Sequence, residues 1–277
     1  MENQEVQKSQ KGKPLIILGF ITIAVLFVVY GRYQDPEFIT PDAVDDVLRM
    51  AYGFYVVLLL SFGAIAFGLY KYHKQKIIED PTSKLSIIAL ITWDKKSRKI
   101  FLATFIGYGV FFALTSGTLV YQPELSFTYH YGVEVPSAEI APCCDTAPGY
   151  MPKILAYITD NVGLQIIPIN LVLQVVVSYL VGLNTAIAVR AYTLSRKGRG
   201  VSGIGAVTGL FIACPTCVGS FLSIFVGTAS GIALTIAITQ LQTLFIAITI
   251  PVLLATPFIL ARKLQNPDGS CSLDLEK

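Results

Sequence analysis

Apolar residues in this chain fall into runs of a length that matters physically. A helix rises about 1.5 Å per residue and a bilayer core is about 30 Å thick, so one crossing takes about 20 residues. The runs predict six crossings, over about 14–30, 51–70, 100–121, 162–188, 204–226 and 241–260. The last two come from Val201–Ala261, 61 residues without one Asp, Glu, Lys, Arg or His. That is room for two crossings and a tight outer hairpin. Leu85–Trp93 is apolar but too short to span. It ends in the chain's one tryptophan, beside Lys95 and Lys96, and reads as an interfacial helix.

The polar segments complete the pattern. Pro14–Tyr30 follows Lys8, Lys11 and Lys13 as a secretory signal would, but it runs into Gly31-Arg32-Tyr33 with no small-x-small cleavage site, so a retained first crossing is expected. Between the third and fourth runs lies the longest connection, 122–161. Pro136, Pro142, Pro148 and Pro152 predict that it is irregular rather than helical. The expected fold is therefore all-α. It is a single transmembrane bundle over 1–277 with six helices and a long irregular external loop between helices 3 and 4.

Composition agrees with a multi-pass membrane protein. Hydrophobic residues make up 53% of the chain and charged residues 14%, and the mean hydropathy is +0.63, outside the usual range of soluble domains. The net charge of +3 says little as a total; its distribution orients the chain. Segments placed inside hold 18 of the 21 basic residues. The outer segments, 31–50 and 122–161, are acidic. By the positive-inside rule both termini are cytoplasmic and the protein sits in the cell (plasma) membrane. Nothing in this charge pattern implies a nucleic-acid partner. The expected surroundings are the lipid bilayer, other membrane subunits, or an external thiol or metal carrier.

Candidate chemistry centres on Cys214-Pro215-Thr216-Cys217, inside the charge-free stretch. Residues three apart share one helical face, close enough for the two thiols to pair. Pro215 removes a backbone donor and crowds the carbonyl of Phe211, so the helix is expected to break there. A broken end would point its positive dipole at the cysteine and favour thiolate. The opposing reading is packing: cysteine is a small buried hydrophobe, and Gly205, Gly209, Gly227 and Gly231 suit close helix contact equally well. Cys143 and Cys144 fall in the external loop. They either staple it, form a labile redox pair, or join His130 and Met151 as ligands for a soft metal such as copper. Asn170, Gln174 and Ser178 recur at intervals of four, with Thr185 two turns on, as a polar stripe expected to face helix five or a cavity.

Several classes lack support. No predicted crossing carries a charged residue or histidine at its centre, which disfavours an ion-coupled pump. No H-E-x-x-H, G-x-S-x-G or phosphate loop occurs. Gly198, Gly200 and Gly203 satisfy G-x-G-x-x-G, but no strand precedes them, and they read as a flexible lead into helix five.

The Cys-Pro-Thr-Cys-x-Gly motif in a late, glycine-rich crossing resembles archaeal polytopic membrane proteins with no established activity. The proline-adjacent pair also resembles membrane thiol carriers of the DsbD and CcdA type. Those place their working cysteines on two helices, whereas both lie on one here, so no residue role is carried over. Three functions follow as expectations: thiol-disulfide redox transfer through Cys214 and Cys217, copper handling, or an accessory subunit of a larger membrane complex.

Overall fold

The computed structural model describes residues 12–32, 44–79, 83–121, 123–124, 126–142, 149–197, 250–259 and 261. The predicted fifth crossing, 204–226, lies outside the described residues, as do Cys143, Cys144, Cys214 and Cys217. Four helices are long and apolar enough to cross a membrane: Gly12–Gly31, Asp45–Glu79, Lys95–Leu114 and Pro168–Arg190. They overlap the first four predicted runs. Of the sixth, the described part is the helix Ile250–Ile259. Contacts divide the chain into two compact units, Met1–Gln75 with Ser116–Leu173 and Lys76–Thr115 with Gln174–Lys277.

In the first unit, α1 (Gly12–Gly31) packs antiparallel on α2 (Val44–Glu79). Glycine lets the two backbones touch. A Cβ on Gly12 would stand 3.0 Å from the Gly68 carbonyl oxygen, and one on Gly19 would stand 3.2 Å from that of Ser61. Small residues at such seams are what drives helix association where lipid removes the hydrophobic gain. The other face of α1 is open, with Leu18, Ile21, Val25 and Val28 exposed. Toward the far end the seam becomes aromatic. Phe54 meets Phe27, Tyr30 and Tyr55 edge-on, with ring centroids 5.6, 5.1 and 5.6 Å away.

The connection after the third crossing departs from expectation. It is a four-stranded antiparallel sheet, β1 (Leu119–Tyr121), β2 (Ser137–Ala141), β3 (Lys153–Tyr157) and β4 (Val162–Ile166), in the spatial order β1-β4-β3-β2. The protein is thus mostly helical, compatible with the expected all-α membrane class, with one small sheet added, and 122–161 is not an irregular loop throughout. The prolines that suggested irregularity punctuate the strands instead of interrupting them. Pro136 directly precedes β2, Pro142 follows it, and Pro152 precedes β3, positions where a missing N–H costs the ladder nothing. A short helix, α5 (Phe127–Tyr131), is capped by the Ser126 hydroxyl and closed by Gly132 in the left-handed conformation. Its Phe127 N–H donates to the Asp160 carbonyl at 2.8 Å.

The fourth crossing also starts later than predicted. Residues 162–166 are strand, and α6 runs Pro168–Lys197. Pro168 is therefore no kink. It occupies the first helical position, where its fixed φ suits the helix and no intrahelical donor is needed, and it keeps Ile167 out of the helical region.

The second unit contains α3 (Lys84–Trp93), α4 (Lys95–Thr115), most of α6, and α7 (Ile250–Ile259). The short apolar run expected at the interface is the helix α3. Its Ser86, Ile87, Ile88 and Ala89 are buried, and the two isoleucines pack with Leu183, Ile187 and Ala261. The Ser83 hydroxyl caps its start, and the Ser86 hydroxyl donates to the Lys76 carbonyl at 2.6 Å. Asp94 separates α3 from α4 and accepts from both the N–H and the hydroxyl of Ser97, at 3.1 and 3.0 Å.

Candidate functional site

The residues on either side of Cys143 and Cys144 are fixed on α1. Before the pair, the Tyr30 hydroxyl donates to the Pro142 carbonyl at 2.7 Å. After it, Gly149 lies against Phe27. Its φ is +80°, and a Cβ there would come within 2.8 Å of the Phe27 ring and 3.2 Å of Ile169. Only glycine fits a backbone so close to a ring at positive φ. The Gly149 carbonyl also accepts from the Ile169 N–H at 3.0 Å, just inside α6. Pro142 and Gly149 thus bracket residues 143–148 with two attachments to one helix.

A second tyrosine secures the same region. The Tyr55 hydroxyl sits 2.6 Å from the Pro152 carbonyl and 3.1 Å from that of Ile166, and its one hydrogen serves the nearer. Between Pro152 and Gly149 is Met151, which is 5% exposed and belongs to the core of Ile23, Tyr30, Phe54, Tyr55 and Leu58. Its thioether lies among apolar and aromatic groups. His130 has a different setting, exposed on the last turn of α5 with its ring edge-on to Tyr131 at 5.0 Å. Among the described residues no group of three or more His, Cys, Asp or Glu side chains could hold a metal ion.

The polar stripe on α6 divides by partner. Asn170 is half-buried near the helix start. Gln174 Nε2 donates to the Gly109 carbonyl on α4 at 2.8 Å, so this member of the stripe faces the third crossing. Ser178 is 1% exposed, and its hydroxyl, 3.6 Å from where a Gly109 Cβ would stand, has no hydrogen-bond partner among the described residues. Thr185 returns its hydroxyl to its own helix at Val181. Sequence reasoning passed over Asn184, which is 8% exposed and bonds the carbonyls of Leu180 and Leu253 at 2.9 and 3.0 Å. The signal was present as the one carboxamide in the apolar run 175–189.

Electrostatic perturbation outside the membrane-spanning segments is modest. Burial pushes the Tyr157 phenol up, helped by Glu139 and Tyr131 nearby. Burial also pushes Asp94 up, but the two bonds from Ser97, with Arg190 and Lys96 in range, outweigh it and hold this carboxyl below its ordinary value. Neither group has the profile of an acid or base poised near neutral pH.

No protein-family model, curated protein or solved structure matches the chain. The resemblance of Cys214-Pro-Thr-Cys217 to known thiol carriers therefore rests on the motif alone.

Proposed function

We propose that this chain is a membrane thiol protein that crosses the cell membrane six times, with both termini inside, and exchanges electrons through cysteine pairs. Cys214 and Cys217 form the intramembrane pair and Cys143 and Cys144 the external one. The observation that carries this reading is the double attachment of the external segment. Tyr30 holds Pro142 and Phe27 seats Gly149, which is more restraint than a spacer between two crossings needs and is what a thiol pair meeting a partner at a defined place requires. Oxidation of Cys214 and Cys217 to a disulfide releases two electrons and two protons. An external disulfide carrier takes them and leaves as two thiols.

The copper reading draws on the same cysteines with His130 and Met151. It is not carried further, because Met151 is a core residue of the first unit.

The test is a count of free thiols by mass-tag alkylation on purified protein, equilibrated against thiol-disulfide buffers of graded potential. Two pairs of thiols are expected to disappear, each across its own potential step; the step of Cys214 and Cys217 vanishes in both Cys214→Ser and Cys217→Ser, and that of Cys143 and Cys144 survives them. A protein whose thiols ignore the buffer, and whose double serine variant is as stable as the parent, has packing cysteines and an accessory role. Stoichiometric copper retained under reducing conditions and lost in Cys214→Ser would transfer the assignment to metal handling.

A further inference from the structure

Helix α7 contains Pro257, which has no N–H to offer the carbonyl four residues earlier, that of Leu253. The proline ring also crowds that carbonyl and tilts it away from the helix axis. Leu253 is 3% exposed, so water does not satisfy it, and a buried carbonyl left without a donor is costly. The donor comes from another helix. Asn184 Nδ2 on α6 lies 3.0 Å from the Leu253 oxygen and 2.9 Å from that of Leu180, which uses both amide hydrogens.

The arrangement fixes the orientation of the carboxamide, since turning it over would set its oxygen against two carbonyl oxygens. It also has a cost. Asn184 Oδ1 is buried with no partner among the described residues. A side chain chosen only to glue two helices together would not accept that penalty readily, whereas one that rescues an orphaned carbonyl has a reason to. One residue before Leu253, Val252 accepts the Thr256 hydroxyl at 2.7 Å, a back-bond of the kind that bends helices. Two successive carbonyls of α7, those of Val252 and Leu253, thus accept from side chains, and the second of these donors comes from α6.

We infer that Asn184 supplies, from α6, the hydrogen bond that Pro257 removes from α7, and so clamps a proline hinge in that helix. The claim differs from ordinary interhelical bonding because it makes the value of Asn184 depend on Pro257. That dependence can be measured with a double-mutant cycle on the full-length protein in detergent.

Asn184→Leu is expected to lower the melting temperature by about 4 °C or more in the natural background. In the Pro257→Ala background position 257 regains its N–H, and the same substitution should then cost less than half as much. Removing the unpaired Oδ1 helps both backgrounds equally and cancels from the comparison. Equal losses in the two backgrounds would overturn the inference, as would a larger loss with Pro257→Ala. Where Asn184→Leu alone yields no folded protein, recovery in combination with Pro257→Ala is the expected result, and failure to recover counts against the clamp.

Discussion

The hydroxyl of Tyr55 carries a connection that no apolar residue could make. It lies 2.6 Å from Pro152 O at the start of β3, in a site closed to water by Met151, Phe54 and Leu58. Tyr55→Phe keeps the ring and its edge-on contact with Phe54 but strips that carbonyl of its donor, at an expected cost of about 1–3 kcal/mol. Comparing the urea midpoints of the two proteins measures it; an unchanged midpoint would mean that the carbonyl finds another donor. Residues of this kind were hard to read in advance. A tyrosine near the end of an apolar run signals an interface, but its partner lies 97 positions away, and no local pattern names it. Asn184 was more legible. A lone carboxamide inside an apolar run, with a proline in a later one, is a donor and an orphaned acceptor written in the same chain.

At the level of elements, glycine sorts by what it touches. On α1 and α2, Gly12, Gly19 and Gly68 lie in the seam, whereas a Cβ on Gly53 or Gly63 would meet nothing within 4 Å among the described residues beyond its own helix backbone. Gly68→Leu is expected to cost roughly 1–3 kcal/mol through overpacking. Gly63→Leu, on the same helix, should be neutral or slightly stabilising through helix propensity, by up to about 1 kcal/mol. Thermal melts of the two variants side by side check this, and equal behaviour would mean that the seam opens. The helices themselves were readable because length and apolarity are local properties. The strands were not. Each is only three to five residues long, and their prolines carry the same letter whether they break an element or bound one. Pro168 shows the same ambiguity: it falls inside the predicted run 162–188, where a proline would kink a helix, and it is the first residue of α6.

For the whole molecule, charge supplies what packing does not. The asymmetry of lysine and arginine is what the proposed topology rests on, six crossings with 122–161 outside and both termini inside. Amine labelling of intact cells with a membrane-impermeant reagent is expected to modify Lys153, which lies in β3, and to spare Lys95, Lys96 and Lys99. The reverse pattern would invert the topology and remove Cys143 and Cys144 from the outer side. Of the candidate site, the cysteine motifs were visible at once as letters. The supports around them, Tyr30, Phe27 and Gly149, were not, because they act through tertiary contact.

The strand order also constrains how the protein is made. β1 leaves α4 directly, but its neighbour in the sheet is β4, with Leu119 opposite Leu164 and Tyr121 opposite Val162. During synthesis β1 therefore waits unpaired until about 40 more residues have followed it, and loop closure on that scale is slow compared with a local hairpin. β3 and β4, joined by a tight turn, can pair first and offer β4 as a template. The sheet is then completed only as the chain enters α6, so a ribosome stalled before that point would leave β1 without the strand it pairs with.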